Sequence, residues 1–197
     1  MEQRKVVLFT ASSLDGYIAT KDHHLDWLFQ VEGEGDNGTA EFMDSVDTVI
    51  MGRTTYDWVM AHTEEFPYKD KECYVFSRTA KADTEFVSFI HEDVGEFCRR
   101  LKSKSGKNIW IAGGGELLDD FLKEKLVDEI IVTIAPVLLG NGIPLFKQND
   151  FQTSLKLSRI NRFNQFVELR YEVSPDAGNA KFAEERSASA KTGYFLS

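Results

Sequence analysis

Trp110-Ile111-Ala112-Gly113-Gly114-Gly115-Glu116-Leu117-Leu118 is the stretch on which the fold turns. Its apolar opening reads as a strand buried on both faces, because no polar position interrupts it. Three glycines follow. The chain then continues into a segment where Leu117, Leu118, Phe121 and Leu122 share one face of a helix. Residues without Cβ atoms let the backbone turn tightly and approach a ligand, and a helix start presents free N–H groups and the positive end of its dipole. Diphosphate is the guest such a turn suits, although glycines kept for strand–helix packing alone would leave the same pattern. The Rossmann fingerprint requires a third glycine three residues further on, and Leu118 occupies that place.

Outward from this point the strand–helix alternation repeats. Residues 6–11, 47–51, 73–76, 108–112 and 129–135 are apolar runs of strand length, and 86–90 is a shorter one. Residues 93–104 and 115–125 carry helical spacing. Such alternation predicts an α/β fold with a largely parallel sheet covered on both sides. The last third differs: 155–163 and 166–173 alternate apolar and polar residues around Asn164-Gln165, the pattern of an antiparallel hairpin at a sheet edge. One domain over 1–174 is expected. Residues 175–197 are expected to form a disordered tail, with Phe182, Tyr194, Phe195 and Leu196 as docking anchors.

Composition narrows the function. A length of 197 residues with 42% hydrophobic content suits one globular domain with a sizeable core. The formal net charge of −9 disfavours phosphate backbones, so nucleic acid is not an expected partner, yet it leaves room for a local basic pocket. Cys73 and Cys98 have no metal-like spacing and point to a reducing, cytoplasmic compartment. No apolar run approaches a membrane span, and residues 6–11 are too short for a signal-peptide core. Asn37-Gly38-Thr39 matches a glycosylation sequon that has no meaning in that compartment.

Two more strand ends carry groups that suit anions. Met51-Gly52-Arg53-Thr54-Thr55-Tyr56 ends a strand with an arginine and two hydroxyls where a helix would begin. Arg53 could fork onto a phosphate, and Thr54 or Thr55 could cap the helix; a plain capped helix beside a surface arginine reads equally from these residues. Val75-Phe76-Ser77-Arg78 repeats the arrangement. Three such ends in one sheet fit the rule that ligands sit at the carboxyl ends of parallel strands. His23-His24 is a poor metal pair, since adjacent residues do not share a helix face, and no metal site is expected. No Gly-x-Ser-x-Gly elbow, Walker A run or Cys–His neighbour supports hydrolysis.

These motifs, in their order, resemble the dihydrofolate-reductase-like superfamily. Ala11-Ser12-Ser13-Leu14-Asp15-Gly16-Tyr17-Ile18-Ala19 resembles its opening strand and mobile loop. The 51–56 and 75–78 stretches resemble its second and third cofactor motifs, and Gly113-Gly114-Gly115-Glu116 its glycine turn. Pro136-Val137-Leu138-Leu139-Gly140-Asn141-Gly142-Ile143-Pro144-Leu145-Phe146 is similar to a stretch of the branch formed by the riboflavin-biosynthesis RibD C-terminal reductase domain. The likeness covers residues 4–173. It implies a three-layer α/β/α fold with a mixed, mostly parallel sheet, a stand-alone bacterial reductase, NADPH as cofactor and a homodimer. It also implies that Ala11 and Ile18 line the nicotinamide pocket and that Arg53, Ser77 and Arg78 hold the 2′-phosphate side. Gly52, Thr54 and Thr55, with Gly113, Gly114, Gly115, Glu116 and Leu117, would complete the cofactor site around the diphosphate.

The implied chemistry is hydride transfer to a small pteridine- or pyrimidine-like heterocycle, as in a uracil-type or dihydrofolate-type reductase. Asp26 is the candidate proton-assisting carboxylate, with capping of the following helix as its other role; Trp27 either stacks on the substrate or packs in the core, and Thr133 sits near the substrate pocket. Asp15 reads as the organiser of the Asp15-Gly16 turn. The chain lacks the proline–tryptophan pair of folate reductases and the zinc deaminase signatures of the bifunctional riboflavin enzyme. A stand-alone relative with its own substrate follows, against a non-catalytic NADP(H)-binding or sensor module that has lost turnover.

Overall fold

The computed structural model describes residues 3–174, so the expected tail at 175–197 and its four anchors lie outside the described residues. In chain order the elements are β1 (Val6–Ser13), β2 (Tyr17–Ala19), α1 (Asp26–Phe29), α2 (Thr39–Ser45), β3 (Val46–Gly52), α3 (Arg53–His62), β4 (Glu72–Phe76) and β5 (Ser88–Ile90). They continue with α4 (Val94–Lys102), β6 (Asn108–Gly113), α5 (Gly115–Lys123), β7 (Glu129–Ala135), β8 (Ile143–Pro144), β9 (Ser154–Phe163) and β10 (Phe166–Ser174).

Eight strands form one sheet in the order β5-β4-β3-β6-β1-β7-β10-β9. The pairs from β5 through β7 are parallel, whereas β10 runs antiparallel to both β7 and β9. This is the mixed sheet with an antiparallel hairpin that the residue patterns predict. β1 sits between β6 and β7, which explains its unbroken apolar sequence. Val6 and Leu8 pack with α4 and α5 through Phe97, Leu101, Leu118 and Phe121, while Val7 packs on the other face with Phe42 of α2 and Val59 of α3. Alternate residues of one strand thus serve two helical layers.

Local chemistry sets the helix starts. The Asp93 side chain accepts from the Glu96 N–H at 2.9 Å and begins α4 where the sequence places it. α2 starts at Gly38 in the left-handed region, braced from two residues earlier by Asp36, which accepts from the Ala40 N–H at 2.6 Å; the apolar spacing does not announce this element. Neither Thr54 nor Thr55 caps α3: its cap is Gly52, with no side-chain bond, because both threonines already lie inside the helix. Asp26 likewise is the first residue of α1 rather than its cap, which is Leu25. A further pair, β2 with β8, forms a separate two-stranded sheet where sequence periodicity alone marks no strand.

The hairpin carries a buried ion. Glu168 is fully buried, and one of its carboxylate oxygens accepts from Asn161 Nδ2 and Arg170 Nε, both at 2.8 Å. Removing the carboxylate would strand the mostly buried Arg170 guanidinium. Glu168→Ala is therefore expected to destabilise the fold by about 3 kcal/mol, and Phe121→Ala, at a position with no exposed surface, by about 3–5 kcal/mol. Urea denaturation of both variants checks the two values; a loss below about 1 kcal/mol at either position contradicts this account of the packing.

Candidate active site

Parallel strands joined by crossovers bring all their carboxyl ends to one edge of the sheet. At that edge lies a cleft of about 1060 Å³. It gathers Gly52, Arg53, Thr54 and Thr55 from the β3–α3 junction, Ser77 and Arg78 after β4, and Gly113, Gly114, Gly115, Glu116 and Leu117 from the β6–α5 turn. Ile18 of β2 lines it as well. Residues separated by more than sixty positions in sequence share one wall because their strands are neighbours.

The β6–α5 turn is shaped by backbone conformation. Gly113 has φ +123, a region closed to residues with side chains, and its peptide bond to Gly114 is cis. A Cβ on Gly114 would stand 3.3 Å from Thr55 Oγ1, so the two turns touch. α3 and α5 both begin at glycine caps without side-chain hydrogen bonds. Their first N–H groups therefore receive no capping oxygen and face the cleft edge with the positive ends of two helix dipoles.

Three cations surround these helix starts, each beside a carboxylate. Arg53 Nε donates to both oxygens of Asp57 at 2.7 Å. Arg78 pairs with Glu116, and Lys147 Nζ lies 3.5 Å from the other oxygen of Glu116. Ser77 Oγ donates to the Thr79 carbonyl at 2.8 Å, which holds the turn after β4.

The remaining predicted residues lie elsewhere. Ala11 and Thr133 are register partners in β1 and β7, and Thr133 is in turn the partner of Glu168 in β10. Their strand positions place both side chains on the sheet face that α2 covers, with Phe9 and Ile131, and neither lines the cleft. Asp26 is exposed at the start of α1 and is not a cleft residue. Trp27 is half-buried, and its indole N–H is buried without a partner among the described residues. The structure thus unites the predicted cofactor residues other than Ala11 in one cleft and leaves the three predicted catalytic residues outside its lining.

Other parts of the cleft wall come from segments to which the sequence motifs assign no role. His23 and Leu25 precede α1, and Ile143, Pro144, Leu145 and Lys147 come from β8 and the residues after it. The signal for the second group lay in the 136–146 run, whose place becomes defined only when β8 pairs with β2. Asp15 ties that run down: it accepts from Ser13 Oγ at 2.6 Å and from the Leu139 and Gly140 N–H groups at 3.1 and 2.7 Å. The Ser13 hydroxyl, followed by these backbone donors, holds its carboxyl below the usual range, as suits the organiser of a turn.

Burial pushes the Cys73 thiol up to about 12 and the Cys98 thiol to about 11, so both are neutral, packed sulfurs rather than nucleophiles. Among the described residues, no group of three or more His, Cys, Asp or Glu side chains is placed to hold a metal ion. No helix among them is long and apolar enough to cross a membrane.

Comparison with known proteins agrees with this architecture. The chain is 51% identical over 170 residues to YwjB of Bacillus subtilis (strain 168), an uncharacterized protein, covering 86% of this chain and 98% of that one. The "Putative riboflavin biosynthesis protein" of Shewanella sp. PV-4 superposes with a TM-score of 0.79 at 32% identity, over 86% of this chain and 99% of that one. Dihydrofolate reductase from Enterococcus faecalis, in complex with NADP(H) and RAB-propyl, shares the fold at a TM-score of 0.59 and 15% identity, over 87% and 98% of the two chains. The RibD C-terminal domain family model matches residues 4–169. With that span matched, and with the same sheet and turns on the page, the chain belongs to the RibD C-terminal domain family, whose fold is that of the dihydrofolate-reductase-like reductases.

Proposed function

We propose that this protein is an NADPH-dependent reductase that transfers hydride to a small pteridine- or pyrimidine-like heterocycle. The observation that carries the reading is the convergence of two uncapped helix starts, the Gly113–Gly115 turn and the Arg53, Arg78 and Lys147 side chains on one cleft. Such a cleft suits a ligand with several phosphates. Its volume of about 1060 Å³ is at the upper end of the range typical of small-molecule sites, as a dinucleotide with a substrate beside it requires. The complex of the structurally similar folate reductase with NADP(H) supports the same assignment.

In this reading NADPH supplies the hydride, from its nicotinamide ring. The protein's share is positioning and exclusion of water. Arg53, Ser77 and Arg78 hold the 2′-phosphate side, and Gly52, Thr54, Thr55 and the 113–117 turn hold the diphosphate. Ile18 borders the nicotinamide, from β2. Asp26 and Trp27 directly follow the cleft residue Leu25, and in this reading they serve the substrate side, Asp26 by assisting protonation. A homodimer belongs to the same proposal: Leu155, Leu157 and Ile160 stand exposed on β9, and a second copy would cover them. So does a cytoplasmic location, in keeping with two unpaired thiols.

The exposure of Asp26 outside the cleft favours one second reading, an NADP(H)-binding module without turnover. The two separate by experiment. Calorimetric titration is expected to show preference for NADPH over NADH. Arg53→Ala is expected to weaken NADPH binding by about 10- to 100-fold, the worth of a charged hydrogen-bonded contact; unchanged affinity removes the cofactor assignment. With pterins and aminopyrimidines screened by NADPH oxidation, Asp26→Asn is expected to lower turnover by at least about 100-fold. NADPH binding without oxidation of any such heterocycle decides for the non-catalytic module. Light scattering of the full chain tests the dimer, and Ile160→Lys on β9 is expected to shift it to monomer.

A further inference from the structure

The strap formed by β2 and β8 places one side chain at the phosphate end of the cleft with unusual definition. The Leu145 N–H donates to the Gly16 carbonyl at 2.9 Å, and the Leu145 side chain is buried in the core. Gly142 packs so closely on the Ala19 carbonyl that a Cβ there would lie 2.3 Å from it. The Pro144 carbonyl stands 3.5 Å from the Cβ position of Gly115, at the start of α5. Backbone held at these points delivers Lys147 to the first turn of α5, where it meets Glu116.

Glu116 faces Arg78 with one carboxylate oxygen and Lys147 with the other. It is an anion seated at an uncapped helix start between two cations, which is the environment a phosphate would seek. The three side chains are 88%, 67% and 40% exposed for Arg78, Glu116 and Lys147, so water screens their attraction and the pairs are easily exchanged. A phosphate brings more charge and more acceptor oxygens than a carboxylate to the same donors.

We infer that Lys147 is a phosphate-binding residue of the cofactor cleft, and that Glu116 is a resident counter-ion which keeps Arg78 and Lys147 in place until the cofactor's phosphate displaces it. The inference rests on the NADPH reading above and adds a residue and an exchange to it. In this arrangement the Glu116 carboxylate is not a ligand of the cofactor; only its backbone N–H belongs to the turn that holds the diphosphate. Its charge lowers affinity and spares the free protein an uncompensated cluster of cations.

Calorimetry on the full chain with NADPH, NADH and adenosine 2′,5′-bisphosphate tests the exchange. Glu116→Gln is expected to bind NADPH about three- to tenfold more tightly, since two ion pairs no longer have to be broken, and Lys147→Ala about two- to fivefold more weakly. Lys156→Ala on β9 removes the same charge at the far edge of the sheet and is expected to change nothing. A Lys147→Ala effect confined to the two 2′-phosphorylated ligands supports the inference with the 2′-phosphate as the displacing group, and an equal effect on NADH supports it with the diphosphate. Unchanged affinity in both cleft variants, with wild type binding NADPH, overturns the inference and leaves the NADPH reading standing. Weaker binding by Glu116→Gln also overturns it, because the carboxylate is then a ligand. Failure of wild type to bind any of the three nucleotides brings down the NADPH reading itself.

Discussion

The rest of the structure depends on β1 being buried on both faces. A strand with Val6 and Leu8 against one helical layer and Val7 against the other can exist only where helices cover both sides. Parallel neighbours joined by crossovers satisfy that requirement, and they send every loop after β3, β4 and β6 to the same edge. The cleft is thus a by-product of covering the core. Its walls are strand ends, and its floor is the sheet edge with residues such as Leu8 and Thr10.

Charge is distributed against the molecule's average. The chain carries a formal net charge of −9, yet the cleft collects Arg53, Arg78 and Lys147 beside two helix N-termini. Each cation has an acidic neighbour, Asp57 or Glu116, drawn from the helices that begin there. Exposed pairs of this kind add little to folding stability. Their effect is electrostatic moderation of a site that would otherwise concentrate positive potential in an unliganded protein. The pair of Glu168 and Arg170 is a different case, since the fully buried carboxylate cannot turn to water for a replacement partner.

Much of this was legible from residue order. The strand ends at Gly52, Phe76 and Gly113 and the amphipathic spacing of α4 and α5 are local patterns, and periodicity reports local patterns well. The stretches that line the cleft were legible for the same reason, as each is a short contiguous stretch at a strand end. α2 was not, because it starts at a left-handed Gly38 cap braced by Asp36 and only Phe42 among its residues is buried. β2 and β8 are three and two residues long and exist only as each other's partners. The hydroxyls of Thr54 and Thr55 suggested a cap that the chain places two and three residues earlier, at Gly52.

The sequence by itself determined the alternation of strands and helices, the hairpin at the C-terminal edge of the sheet and the three glycine- or hydroxyl-bearing strand ends, because each follows from spacing within a few residues. Only the tertiary structure decided which of those ends meet, that Asp26 stands outside the cleft, that Thr133 lies between Ala11 and a buried glutamate, and that Lys147 reaches Glu116. Those outcomes depend on strand order and on contacts between residues tens of positions apart. No period in the sequence encodes them; the joint burial of two apolar faces does.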